Sequence, residues 1–182
     1  MESVGIFLNE LNKQNNREFD LKNSLENKSN SLITISGIVI PLLFAFGIFV
    51  IEKIDRNYSL FIVAVGLLSL IIILNVIAII FAVLSAKIRN YEYPFLHFNF
   101  YDVTNKININ AIKEYTDSEP DKFNELLIED YLSCNKFNYE INQKKANYIK
   151  IGQLIFTISL VLVPILIIIL FSFPPHLNSL RE

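Results

Sequence analysis

"SLENKSNSLITISGIVIPLLFAFG", residues 24–47, passes from charged and amide side chains into an unbroken apolar run, with neither glycine nor proline at the join. From Leu32 to Ile51 no Asp, Glu, Lys or Arg occurs, and two further runs, 60–86 and 154–173, are equally free of charge. Each is at least as long as the roughly 20 residues that cross a bilayer. The Leu, Ile, Phe and Val they hold are worth about −4 to −11 kcal/mol of insertion free energy per run. The chain is 182 residues long and 52% hydrophobic, with a mean hydropathy of +0.40. That average is only modestly above a soluble domain's; the clustering of the apolar residues is what makes this an all-α integral membrane protein with three transmembrane helices and a small cytoplasmic helical domain.

The expected order is an arm of amphipathic helices over 1–31, a transmembrane hairpin over 32–86 (first span 32–51, second 59–86), a cytoplasmic helical region over 87–150, a third span over 151–173 and a tail over 174–182. Lys13, Arg17, Lys22 and Lys28 precede the first span, and nine more lysines and arginines lie between 87 and 150; only Lys53, Arg56 and Arg181 flank the other sides. Cytoplasmic loops carry the excess of Lys and Arg, so the N-terminus and the long connection are expected in the cytoplasm, and the hairpin loop "EKIDRNY" and the C-terminus outside. A multi-pass protein of the inner (plasma) membrane follows. The first apolar run is too long, and starts too late, for a cleaved signal peptide. It reads as a retained anchor.

Val4, Phe7, Leu8 and Leu11 recur at helical spacing and predict a short amphipathic helix; it could lie on the membrane surface or against the cytoplasmic domain, and flanks that are not strongly basic favour the second. Beyond Gln14, Asn15 and Asn16, a second segment with Phe19, Leu21 and Leu25 leads into the span without a breaker, so helix geometry should continue into the membrane and movement of the arm should act on the span. Pro41 and Pro164 should kink their spans. In the second span Asn75, Ala78, Ala82 and Ala86 form a stripe of small residues with one amide, a helix-packing face. "YEYPFLHFNFY", residues 91–101, is dense in aromatic side chains; it reads as an interfacial belt, with a stacking platform for a base as the alternative. At "DSEP" Ser118 can cap a helix with Asp121, and Pro120 suits its first turn. One stripe then runs through Phe123, Leu127, Tyr131, Cys134, Phe137 or Asn138, Ile141 and Lys145. Unbroken, that helix and the third span would form a rod of about 80 Å at 1.5 Å per residue.

The chemistry of an enzyme is not visible. No glycine-rich phosphate loop, nucleophile elbow or metal-spaced set of His and Cys occurs, His97 and His176 are expected on opposite sides of the membrane, and Glu125, Glu129 and Asp130 read as a solvated face. No catalytic residue, metal or cofactor is therefore expected. The single cysteine, Cys134, excludes an internal disulfide and reads as a small buried residue. Charge-free spans also leave a proton-coupled transporter or a voltage sensor with nothing to carry it.

Glu26, Lys28 and Ser29 in "LENKSNSLI", and Asn138, Ile141 and Lys145 in "NYEINQKK", together with this order of parts over roughly 15–173, resemble the Pycsar-type transmembrane effectors of prokaryotic antiphage defence. That family usually has Asp where this chain has Glu26, and Ala where it has Ser29. SLATT-type membrane effectors are similar in outline but are typically built on two spans. The resemblance implies a membrane effector that responds to a cyclic nucleotide made by a partner cyclase and impairs the membrane as a homo-oligomer in the lipid bilayer, without a nucleic-acid partner. It makes Glu26, Lys28, Asn138 and Lys145 candidates for ligand binding or coupling: Lys28 by pairing with an acid of the long connection, Lys145 by turning toward a phosphate. The bland alternative for both lysines is an interfacial position with a snorkelling stem. The alternative for the whole chain is a non-catalytic accessory or scaffold subunit of a membrane complex.

Overall fold

In the computed structural model, residues 2–53, 59–88, 91–94 and 120–172 are described. They form three α-helices and no strand: α1 (Glu2–Lys53), α2 (Ser59–Lys87) and α3 (Pro120–Ser172). The hairpin loop around Arg56, the aromatic stretch beyond Pro94 with His97, the cap at Ser118 and the tail with His176 lie outside the described residues.

α1 is one helix where the sequence suggested two segments. The amides at 14–16 are weak helix formers, but neither Gly nor Pro interrupts them, and Asn15 turns inward and is buried. α3 opens on Pro120 and continues for 53 residues, which at 1.5 Å per residue is about 80 Å. Pro41 and Pro164 lie inside unbroken helices.

All three helices are long and apolar enough to cross a membrane, and only 22%, 28% and 17% of their most apolar windows is buried inside the protein. Ile38, Leu42, Ile48, Ile62, Ile73, Leu154, Ile168 and Phe171 point outward. In water such a surface would far exceed the few hundred Å² of contiguous apolar area that monomers expose. Lipid is therefore the solvent of these faces, and the chain is a membrane protein.

The chain divides into two compact units, Met1–Leu25 with Ile88–Lys145, and Glu26–Lys87 with Ala146–Glu182. In the second unit α2 is antiparallel to both other helices: Ser29 meets Ala82 while Gly47 meets Leu68, and Gly152 meets Ala78 while Ser159 meets Asn75. Its buried α2 positions, Ala64, Leu68, Ile71, Asn75, Ala78, Ala82 and Ser85, step alternately by four and three. That mean of 3.5 is the seam spacing of a left-handed coiled coil. The expected face takes a second consecutive step of four after Ala82, whereas the seam takes a step of three there: Ser85 is buried and Ala86 half-buried. Gly152 lets the helices approach closely: a Cβ there would lie 3.1 to 3.3 Å from Leu32, the Ala78 carbonyl and Phe81, so a neighbour would have to give by a few tenths of an ångström.

In the first unit the inward face of α1 runs through Leu11, Asn15 and Leu25, with Glu18, Phe19 and Lys22 half-buried. Phe7, expected in the apolar stripe, is 46% exposed, whereas Val4 and Leu8 are half-buried and Leu11 and Asn15 buried, so the inward series is 4, 8, 11, 15. α3 contributes Asp130, Cys134, Asn135, Asn138, Ile141, Asn142 and Lys145 to this interior. An interior so rich in polar side chains favours arrangements that pair them, although Asn15 Oδ1 and Asn135 Oδ1 find no partner on the protein.

Candidate ligand and coupling site

Three asparagines supply most of those partners in the first unit. An amide side chain carries both a donor and an acceptor, so it can pair with backbone that has no regular partner. Asn138 does so on both sides of Glu92: its Oδ1 accepts from the Glu92 N–H at 3.0 Å and its Nδ2 donates to the Glu92 carbonyl at 2.8 Å. The segment 91–94 is thereby fastened to α3 as a strand would be to its neighbour. One turn on, Asn142 Nδ2 donates to the carbonyl and the carboxylate of Glu18, at 2.9 and 2.7 Å, while its Oδ1 accepts from the Tyr91 hydroxyl. Asn135 Nδ2 donates to the Leu11 carbonyl at 3.2 Å. Arm, connection and α3 are held by one ladder of amides.

Around Tyr91 the ladder meets charge and aromatic surface. Lys22 Nζ lies 4.4 Å from the Tyr91 ring centroid and Lys145 Nζ 5.1 Å from it, and Lys22 also reaches Phe19 at 5.9 Å. Phe19 stacks on Tyr93 at 4.8 Å and tilts against Tyr91 at 6.1 Å. An ammonium over an aromatic face gains about 0.5 to 2 kcal/mol, more when water is excluded, and Lys145 is completely buried. Its stem does not snorkel toward water. Two cations lie against one ring, and Tyr93, 51% exposed, offers a flat apolar face beside them.

Cys134 lies on the same face of α3. Burial first, then the negative charges of Asp130 and Glu92, pushes its thiol up to about 11, and burial with Asp130 and Cys134 likewise raises the Tyr131 phenol. A thiol so shifted is protonated at neutral pH and a poor nucleophile. Among the described residues no group of three His, Cys, Asp or Glu is placed to hold a metal ion.

Of the four candidate binding or coupling residues, Asn138 and Lys145 share the buried face of α3 and both meet the 91–94 segment. Glu26 and Lys28 belong to the second unit, Glu26 half-buried and Lys28 exposed. The join is instead marked by Ser29, fully buried, whose Oγ donates to the Ala82 carbonyl at 2.6 Å. Further along, Asn75 Nδ2 donates to Ser159 Oγ at 3.0 Å and to the Ile71 carbonyl at 2.9 Å, so the stripe of α2 packs on α1 and α3 of its own chain.

A family model, PycTM, described as the Pycsar effector protein domain, matches residues 10–172. That is 163 of the 182 residues, from the first turns of the arm to the end of α3. The chain belongs to the Pycsar effector family. It is accordingly a transmembrane antiphage effector, and the family's extent takes in both units, the amide ladder as well as the spans. Comparison with curated proteins and with solved structures gives no match.

Sequence reasoning missed Asn135, Asn142, Glu18 and Lys22. The first two stand three and four residues either side of Asn138 and the last two continue the 11, 15 series, so the four-three spacing would have found them.

Proposed function

We propose that this Pycsar effector is a non-catalytic, signal-responsive protein of the inner membrane, with its N-terminus and first unit in the cytoplasm and its C-terminus outside. A cyclic nucleotide made by a partner cyclase is its ligand, and as a homo-oligomer it impairs the membrane. The observation that carries the ligand class is the pair of ammoniums at Tyr91. A cyclic nucleotide offers one phosphodiester charge and one flat base; Lys22 would meet the phosphate, the buried Lys145 would add field without contact, and the exposed face of Tyr93 would take the base by stacking. Binding there pulls on Phe19 and Lys22 of α1 and, through Asn138 and Asn142, on α3. Both helices have residues in both units, so the ladder that holds the ligand site is built on the helices that form the spans.

The test is dye release from liposomes containing the purified protein, with a panel of cyclic mononucleotides and dinucleotides. One nucleotide should trigger release, and Lys22→Ala should raise the concentration needed by about tenfold, the equivalent of losing roughly 1.4 kcal/mol of charge-assisted contact. No release with any nucleotide, with insertion verified, would favour an accessory subunit.

A further inference from the structure

The membrane-spanning unit has one layer that lipid solvation does not require. The register set by Ser29 against Ala82 and Gly47 against Leu68 brings Ser36 of α1 to the level of Asn75 of α2, and Asn75 bonds Ser159 of α3. Each helix thus supplies one polar residue to one layer, and all three are 0% exposed. On one side lies an apolar cluster of Leu32, Ala78, Ala82 and Phe156, and on the other a cluster of Leu43, Ala64, Leu68, Ile71 and Leu166.

Hydrogen bonding within the layer is incomplete in a specific way. Both amide hydrogens of Asn75 are used, one on the Ile71 carbonyl and one on Ser159 Oγ, which itself donates to the Phe156 carbonyl at 2.7 Å. The orientation of the amide is fixed, because the Ile71 carbonyl can only accept. Asn75 Oδ1 is left without a hydrogen-bond partner, and so is Ser36 Oγ. One is an acceptor and the other can donate, and in a region with no bulk water each unmet group costs free energy that a partner would recover.

We propose that Ser36, Asn75 and Ser159 form a binding site for a single water molecule at the centre of the spans. The water accepts from the Ser36 hydroxyl, donates to Asn75 Oδ1, and gives its second hydrogen to the remaining lone pair of Ser159 Oγ. Three partners is the usual number for a buried water. A second copy of the chain is a poor substitute, since none of the three side chains has surface for it to reach. In the reading of the preceding subsection, on which this consequence rests, the layer is also where the spans hydrate first when they part. The clusters on either side offer water no hydrogen bond and stay dry until then.

Water-edited solid-state NMR on labelled protein in liposomes, without any nucleotide, tests the site. Magnetisation should pass from water to the Asn75 side-chain amide and to Ser36, and not to the side chains of Ala78 or Leu68. Ser36→Ala removes no hydrogen bond that the bundle itself makes, so the fold should persist while transfer to Asn75 is lost. Absence of transfer to Asn75 in the wild type, or undiminished transfer in Ser36→Ala, overturns the site. Because no nucleotide is involved, either result stands apart from dye release: a dry layer leaves the effector reading intact, and a wet layer survives its failure.

Discussion

Replacing Asn142 by alanine tests whether the amide ladder holds the first unit together. The substitution removes two bonds donated to Glu18 and one accepted from Tyr91. A neutral bond contributes about 1 kcal/mol net, and one to a charged group about 1.5 at the low end; the low end applies because half-buried Glu18 can recover water. The bond from the Tyr91 hydroxyl is a further neutral one. The three bonds together are worth about 3 to 4 kcal/mol for release of the arm from α3 and the 91–94 segment. Hydrogen exchange followed by mass spectrometry on the full-length protein reads this directly. Amides of residues 15–25 should exchange roughly 150- to 700-fold faster, up to the ceiling set by global unfolding. Asn142→Asp sharpens the test. It keeps the shape but sets a carboxylate where the amide met the Glu18 carboxylate at 2.7 Å. Repulsion raises the pKa of that pair in the folded state, so the folded unit binds protons more tightly than the unfolded one, and protection factors should recover as pH falls into the carboxylate range. Exchange within about threefold of wild type in Asn142→Ala, less than roughly 0.7 kcal/mol, would refute the assignment of Asn142 as a structural tie.

Ser29→Ala should weaken the second unit by only about 0.5 to 1.5 kcal/mol, measured by reversible unfolding in mixed micelles, because the Ala82 carbonyl loses a second partner and no donor is stranded. Toxicity should be retained, since the family usually carries Ala at this position. Cys134 should react with a thiol reagent at pH 8 about a hundredfold more slowly than an ordinary cysteine, in keeping with the smaller thiolate fraction of a thiol at about 11. The same shift adds stability that is complete below the ordinary thiol pKa, near 9.0, and is lost as pH rises toward about 11; thermal unfolding between those limits should show the decline.

The spans were legible because a bilayer sets a length that few other structures need, and runs such as 60–86 meet it without a single charge. What faced inward was harder. The expected stripe 75, 78, 82, 86 and the buried series 75, 78, 82, 85 coincide for three members and differ at the fourth, where Ser85 is buried and Ala86 half-buried. The choice between Phe137 and Asn138 has the same root. Apolar preference points to Phe137, yet Asn138 is buried and Phe137 only half-buried, because the 91–94 backbone offers α3 a carbonyl and an N–H that a phenyl ring cannot satisfy. Lys145 was readable as an interfacial lysine; its burial depends on Tyr91, more than fifty residues away in the chain, and no local pattern announces that contact.

Both units place polar residues on seams that leucine would fill at lower cost, and they use them differently. In the first unit Asn138 and Asn142 bond the backbone of Glu92 and of Glu18, while the Oδ1 atoms of Asn15 and Asn135 find no partner on the protein; a leucine at 138 would strand the Glu92 backbone rather than simply repack. In the second, Ser29 and Ser159 bond carbonyls that already belong to helices, and Asn75 Oδ1 and Ser36 Oγ find no hydrogen-bond partner on the protein itself. Apolar replacement there should strengthen helix association rather than weaken it, since a single water can bridge those atoms only at the cost of its own immobilisation. A bundle with such a layer is less stable when closed than its apolar equivalent and gains more from opening to water. The function proposed above would require that balance: enough packing from Leu43, Ile71 and Leu166 to keep the spans together, and a polar layer that lowers the cost of their separation.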